Sequence, residues 1–135
     1  MKACSALVGI AGCATFGCTT APYPAGRVAS DVTIANSVWT ILSVSGDTLR
    51  KPGSTMIFKT KTFRASLPCS VVVGSFFQNG RVLRTSGVRT ISGSCEPTGE
   101  EKYFAGKLSS GQMIQSTATG MILQNPPDFI ELARR

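Results

Sequence analysis

The residues best equipped for chemistry are the five cysteines: Cys4, Cys13, Cys18, Cys69 and Cys95. The chain contains no histidine, which removes the commonest general base near neutral pH and the commonest metal ligand. Ser-His-Asp and Cys-His mechanisms are therefore impossible within the chain. No C-x-x-C pair occurs either, so a zinc or redox motif is not expected. We predict no catalytic residues, no metal site and no cofactor.

The acidic residues are few: Asp31, Asp47, Glu96, Glu100, Glu101, Asp128 and Glu131. Glu100 and Glu101 are adjacent, and one interpretation of them is a pair of catalytic carboxylates. However, Thr98–Glu101 has the T-x-x-E sequence of a capping box, in which the glutamate side chain bonds back to the backbone N–H of the threonine. The start of a helix explains the two glutamates better than acid–base catalysis does.

The N-terminus carries a signature of covalent processing. Lys2 supplies one positive charge, and a small, apolar run follows it up to Cys13, which is the plan of a secretory signal. The run is too short and too rich in Gly and Ala for a membrane-spanning helix. Its last four residues, Ile10–Cys13, resemble the lipobox of bacterial lipoproteins, whose cysteine thiol receives diacylglycerol. We expect residues 1–12 to be a signal peptide and Cys13 to be the lipidated N-terminus.

Alternatives stay open in this segment. A signal ending at Gly12 is short, and Thr15–Cys18 offers a second, poorer box that gives a more normal length. Ordinary cleavage with incidental cysteines is the other alternative. Residues 13–36 contain Pro, Thr and Ala in a proportion typical of a flexible tether. Within them, Arg27–Ile34 shows some alternation of apolar residues with others, so an added edge strand is an alternative to the tether for this stretch.

A diacylglycerol anchor predicts where the protein resides. Two acyl chains anchor stably, whereas one binds only marginally. Ala14 follows the cysteine, in place of the aspartate associated with inner-membrane retention in enteric lipoproteins. We expect a lipid-anchored protein of the bacterial cell envelope, at the outer membrane and facing the periplasm. The membrane is the predicted partner, and an envelope protein or a small ligand is left open as another.

Cys69 and Cys95 are the cysteines of the folded part, and we predict that they form a disulfide. The leader indicates export to an oxidising compartment, where disulfides persist. Closing this loop should stabilise the fold by roughly 3–4 kcal/mol in the chain-entropy model. Two buried free thiols, packing as small apolar groups, are the alternative.

The chain is basic, with a formal charge of +7. Such a balance allows contact with anionic lipid, polysaccharide or nucleic acid. The basic residues of the folded part form no dense run, and aromatic residues are not interleaved with them as nucleic-acid platforms require. We expect a solvated basic surface and no nucleic-acid partner.

Between the two cysteines, Asn79-Gly80 separates two runs of strand-forming residues. This dipeptide is the strongest short-range hairpin signal, because a type I′ turn needs φ > 0 at both central positions. The turn predicts that Phe77 faces Val82 and that Phe76 faces Leu83. Since both faces then carry apolar residues, we expect cover on both sides near the turn.

Further strands are predicted at 38–44, 55–59, 63–67, 87–91, 113–118, 120–123 and 129–133, with a helix from Thr98 to about Leu108. A chain of 135 residues makes one domain with a real core. The predicted fold class is mostly β (α+β): a small antiparallel β-barrel or curled sheet with one short helix.

The order of these features resembles the META domain family, to which the heat-shock lipoprotein HslJ belongs. The matching residues are Trp39-Thr40-Ile41-Leu42, Ser45-Gly46, Phe58, Cys69, Gly74-Ser75-Phe76, Asn79-Gly80, Leu83, Cys95, Glu101, Phe104, Leu108, Leu123 and Leu132. The chain has Pro68-Cys69-Ser70 where the family often has Gly-Cys-Asn, so no ligand role of that asparagine carries over. The resemblance implies that residues 37–135 form a META/HslJ-like domain.

The resemblance implies a small β-rich fold, often lipid-anchored, with links to stress tolerance or drug resistance and no established reaction. We therefore expect a non-catalytic envelope lipoprotein that acts in stress tolerance or envelope integrity. The alternative is a periplasmic enzyme inhibitor or small-ligand carrier on a lipocalin-like barrel. An enzyme is disfavoured because no nucleophile stands beside a plausible base.

Overall fold

The computed structural model describes residues 32–48 and 53–135. The predicted signal peptide, Cys13, Cys18 and most of the predicted tether lie outside these ranges. Within them, the chain forms β1 (Ser37–Val44), β2 (Asp47–Thr48), β3 (Thr55–Phe58), β4 (Thr62–Ser66), β5 (Ser70–Asn79), β6 (Val82–Ser92), α1 (Gly99–Leu108), β7 (Gln112–Ser116), β8 (Gly120–Asn125) and β9 (Asp128–Arg134). None of the described residues belongs to a helix with the length and apolar character needed to cross a membrane.

The strands close into a barrel. Successive strands from β3 to β9 pair antiparallel, and β1 pairs with both β3 and β9. The result is a closed eight-stranded antiparallel barrel with a single helix, while the two-residue β2 extends one edge of β1. The predicted fold class is confirmed, and closure selects the barrel over the curled sheet.

Inward-facing side chains fill the barrel. The strands place their alternate residues inside, as in β3, where Met56 and Phe58 are buried and Ile57 is only half-buried. The ring of Phe58 packs edge-to-face on Phe76, with centroids 5.1 Å apart. An eight-stranded barrel is just wide enough for side chains to fill its interior, and here a continuous apolar core does so.

The two ends of the barrel are covered by different segments. Helix α1 packs over the end that holds the β1–β2 turn and the β4–β5 connection, and it buries Phe104 and Leu108. At the opposite end, Ile34 is fully buried, and its N–H donates to Gln78 Oε1 at 3.1 Å. Among the described residues, those from Val32 on, which precede the predicted domain boundary at Ser37, already pack against the barrel.

The central hairpin forms with its two-residue loop one position later than predicted, which shifts each cross-strand pair by two residues. Asn79 pairs with Val82, so the two-residue loop is Gly80-Arg81, and Gly80 adopts φ +55°. A glycine in the first loop position is the composition of a type II′ turn. Phe77 consequently faces Arg84 rather than Val82.

The expected cover on both faces of the hairpin is wrong. Phe76 and Leu83 point into the core, but the side chain of Phe77 is 66% exposed and Val82 is also exposed. The barrel has only one apolar interior, so the second face of the hairpin meets solvent. The strand predicted separately at 87–91 is the second half of β6.

Candidate functional site

The structure joins Cys69 and Cys95 in a disulfide, as the sequence predicts. The bond ties the β4–β5 connection to the segment between β6 and α1. The predicted capping box is also present, with the Glu101 N–H donating to Thr98 Oγ1 at 3.3 Å. Beyond the prediction, Glu101 Oε1 accepts the backbone N–H of Cys69 at 2.7 Å. Glu101 is buried and links the start of α1 to the disulfide, a structural rather than a catalytic task.

One cluster of chemistry-bearing side chains lies where α1 meets two turns of the barrel. Asp128, at the start of β9, accepts hydrogen bonds from the Tyr103 hydroxyl and from Ser45 Oγ, the latter at 3.3 Å. Lys107 forms an ion pair with the same carboxylate, and its ammonium lies 5.0 Å from the centroid of the Tyr103 ring. These contacts connect the outer side of α1 to the β1–β2 and β8–β9 turns.

The charges of this cluster stabilise one another. The hydrogen bond from Lys107 holds the pKa of Asp128 below its usual value, and the bond from Tyr103 acts in the same direction. The hydrogen bond to Asp128 in turn raises the pKa of Lys107 above 10.5. A lysine that activates a nearby serine needs a lowered pKa. Both groups are instead held in their charged forms, which favours a structural ion pair.

The described residues hold no group of three or more Cys, Asp and Glu side chains arranged to bind a metal ion. The two ion pairs among them join Lys107 to Asp128 and Lys102 to Glu96. The remaining concentration of charged side chains is basic and lies on strands β3 to β6 and the turns between them.

Strands β3 to β6 carry charge of one sign. Residues 48–95 contain no acid, and within the described part of this range the basic residues are Lys59, Lys61, Arg64, Arg81, Arg84 and Arg89. In sequence these residues look scattered, which led us to expect an ordinary solvated surface. The barrel brings their strands side by side, in the order β3-β4-β5-β6. The fold thus gathers basic residues that are separated in the sequence onto neighbouring strands, where they remain exposed.

A β-bulge brings Arg89 to the outer face of β6. Leu83 is buried, and Thr85 points inward to donate to the carbonyl of Leu108. Regular alternation would turn Gly87 and Arg89 inward as well. The pairing instead shifts by one residue, because Gly87 (φ +60°) and Val88 together lie opposite Gly74. A glycine with φ > 0 at the first position of a bulge inserts one residue and re-aims those that follow.

Arg64 reaches the same outer face from β4. It pairs with Val73, which pairs with Arg89 on its other side. Val73 thus separates two arginines on neighbouring strands. Lys59, which follows the buried Phe58, extends the basic row beyond the end of β3, where its N–H donates to the carbonyl of Thr62 at 2.8 Å.

These residues line an open groove of about 380 Å³. Its charged lining is Lys59, Arg64 and Arg89, its apolar lining is Ile57, Phe63 and Val73, and its polar or small lining is Thr62, Gly74, Ser75 and Gly87. A Cβ atom added to Gly74 would lie 2.8 Å from Cε1 of Phe63. The glycine therefore gives the phenylalanine ring room beneath the groove. We take this groove as the candidate functional site.

Sequence reasoning missed this site because it did not anticipate the bulge. The available signal was a pair of glycines, Gly74 and Gly87, inside otherwise strand-forming runs. Isolated glycines in a strand pattern indicate bulges or close approach of another chain segment. Without the bulge, the pattern places Arg89 on the wrong face.

Two solved structures share the fold of this chain. One is an NMR structure of a protein that is 17% identical, with a TM-score of 0.61 over 76% of this chain and 95% of the other. The second is an NMR structure of a protein from Burkholderia xenovorans that is 16% identical, with a TM-score of 0.58 over 76% of this chain and 83% of the other. At these identities the similarity concerns the fold alone. No protein-family model and no curated protein matches the chain, so the resemblance to the META domain stays a prediction.

Proposed function

We propose that the chain is a non-catalytic, lipid-anchored protein of the bacterial cell envelope, of the META/HslJ type, that acts through binding at its outer surface in stress tolerance or envelope integrity. The observation that carries the proposal is the filled interior of the barrel. Its core side chains are packed together and both ends are covered. Binding is therefore assigned to the exterior.

Three features support the envelope location. The disulfide between Cys69 and Cys95 suits an oxidising compartment. The described part of the predicted tether of residues 13–36 packs against the barrel, where the Val32 carbonyl accepts a hydrogen bond from Gln78 Nε2 at 2.5 Å. The composition of residues 13–31 keeps them as the proposed tether. Placement at the outer membrane, facing the periplasm, follows from Ala14 as argued above.

The anchor is tested by palmitate labelling of the wild type, Cys13→Ala and Cys18→Ala in a bacterial host. We expect label in the wild type and in Cys18→Ala, and none in Cys13→Ala. Label lost only in Cys18→Ala would show that Cys18, in the second lipobox, is the lipidated residue. No label in the wild type would refute the lipoprotein proposal.

Of the two alternative functions, enzyme inhibitor and small-ligand carrier, the residues near the hairpin tip support the enzyme inhibitor. Phe77 is 66% exposed beside Arg84 on the long β5–β6 hairpin, and aromatic and arginine side chains are enriched at protein–protein interfaces. Affinity purification from the envelope, with wild type and Phe77→Ala compared, tests this reading. A hydrolase captured by the wild type and lost with Phe77→Ala would favour inhibition over the primary proposal. The filled barrel does not favour a carrier of small ligands in its interior.

A further inference from the structure

We propose that the groove lined by Lys59, Arg64 and Arg89 on the outer face of β3–β6 binds a phosphate group carried by a partly apolar molecule. The inference rests on the proposed function in one respect, namely that the chain acts by binding at its exterior. It does not depend on lipidation, because the groove is formed by the barrel alone.

The first argument is the sign of the charge. The three cations line one groove whose lining includes no acid, and no described acid forms an ion pair with any of them. Basic side chains that share a concave surface produce a positive potential, which raises the local concentration of anions. The two ion pairs of the described part lie elsewhere, on residues 96–128.

The second argument is the geometry of the two arginines. Arg64 and Arg89 flank Val73 on adjacent strands, which places their Cα atoms about 10 Å apart at the usual strand spacing. Guanidinium groups bind phosphate with two parallel hydrogen bonds each. Two arginines approaching from opposite sides suit a phosphate group, which has several acceptor oxygens and a negative charge. A single carboxylate would satisfy fewer of these donors.

The third argument is the apolar wall. Ile57 and Val73 line the groove beside the cations. The same outer face continues into Val38, which pairs with Ile57 and is 39% exposed, and into Ile91 on β6, which is 49% exposed. Exposed apolar side chains next to cations match a molecule that carries both a phosphate and an apolar part. The headgroup region of an anionic phospholipid and a soluble organic phosphate both have this chemistry.

The binding experiment uses the full chain carrying Cys13→Ala and Cys18→Ala, so that no acyl chain contributes. Inorganic pyrophosphate is titrated at low salt and followed by calorimetry. Arg64→Gln and Arg89→Gln are each expected to weaken binding about tenfold, since each removes one charge-assisted pair of hydrogen bonds. Arg64→Lys, which keeps the charge and loses the planar fork, should fall between wild type and Arg64→Gln.

Lys102→Gln is the matched control. It removes the same charge from an exposed residue of α1 and should change the affinity by less than about twofold, because an exposed charge elsewhere on the protein acts only through a screened field. Arg64 and Arg89 are exposed, so their variants are expected to unfold at the wild-type temperature. An unchanged thermal transition is the check on folding.

A second titration distinguishes the two sources of phosphate. The same proteins are sedimented with vesicles of phosphatidylcholine alone or with about 30% phosphatidylglycerol, whose surface potential attracts basic groups. Binding to anionic vesicles that weakens in Arg64→Gln and Arg89→Gln assigns the site to a membrane headgroup. Groove-dependent binding of pyrophosphate without vesicle binding assigns it to a soluble phosphate.

The inference is overturned if the wild-type groove binds neither pyrophosphate nor anionic vesicles. It is also overturned if Lys102→Gln weakens binding as much as the arginine variants do, since net charge would then explain the result. Failure of the proposed anchor is recognised separately, by palmitate labelling, and leaves both titrations unaffected.

Discussion

Replacement of Glu101 by alanine is predicted to destabilise the fold far more than replacement of its neighbour Glu100. The carboxylate of Glu101 is 1% exposed and accepts the N–H of Cys69 at 2.7 Å and the N–H of Thr98 at 2.9 Å. A hydrogen bond to a charged group contributes about 1.5–3 kcal/mol, and we apply this to the bond with the half-buried Cys69. The bond with Thr98 is part of a helix cap whose threonine is exposed, where about 0.5–1 kcal/mol is appropriate. Glu101→Ala should therefore lower the free energy of unfolding by about 2–4 kcal/mol.

Glu101→Gln should cost about half as much, because its amide oxygen accepts one N–H while its NH₂ group meets the other donor. Glu100→Ala is the control on the same turn, and it should cost less than about 1 kcal/mol, mainly through lost interaction with the helix dipole. Urea unfolding with the disulfide intact measures all three. Equal midpoints for Glu101→Ala and Glu100→Ala would refute the argument that Glu101 links α1 to the disulfide.

Three further perturbations have defined outcomes. Gly80→Val should lower the melting temperature more than Gly80→Asn, because a β-branched residue resists the φ of +55° that the loop requires; equal melting temperatures would contradict this. Because the pKa of Asp128 is lowered, its ion pair stabilises the fold fully above about pH 4 and less as the pH falls further. Acid unfolding monitored by circular dichroism should therefore show that Asp128→Asn loses less stability than the wild type between pH 4 and pH 2. Parallel curves for the two proteins would refute this. The buried hydroxyl of Ser70 has no hydrogen-bond partner among the described residues, so Ser70→Ala should leave the free energy of unfolding unchanged or raise it by up to about 1 kcal/mol; a loss above about 1 kcal/mol would show that the hydroxyl is satisfied.

Local signals predict most of the secondary structure correctly. The helix from Thr98 to Leu108 follows from its capping box and from the i, i+4 spacing of Phe104 and Leu108, and the structure places it at Gly99–Leu108. The strands follow from runs of β-branched and aromatic residues between turn residues. The class of a β-rich fold with one helix follows from their order. Closure of the barrel requires β1 to pair with β9, which no local pattern reveals.

The details of the long hairpin could not be predicted in the same way. Asn79-Gly80 indicates a two-residue turn, but the observed loop Gly80-Arg81 also contains this glycine and shifts the cross-strand pairs by two residues. The choice depends on packing at a distance, since Gln78 points inward to hold the chain at Val32 and Ile34. Phe77 faces outward in either register, because it alternates with the inward-facing Phe76 on β5.

The candidate site was hidden for a related reason. The eight basic residues between positions 50 and 89 are visible in the sequence, but the face that each one occupies depends on the bulge at Gly87 and Val88. A strand pattern with a period of two assigns every later residue to the wrong face once one residue is inserted. The groove therefore emerges only when the register of β5 and β6 is known.

The central claim is that this barrel is exported, oxidised and anchored by lipid at Cys13. Intact-mass spectrometry of the protein extracted from its own envelope tests all three parts in one measurement. The account predicts a chain beginning at Cys13, carrying a diacylglycerol adduct on that residue and lacking two hydrogens for the bond between Cys69 and Cys95. A chain that still begins at Met1, or that carries no lipid mass, would contradict it.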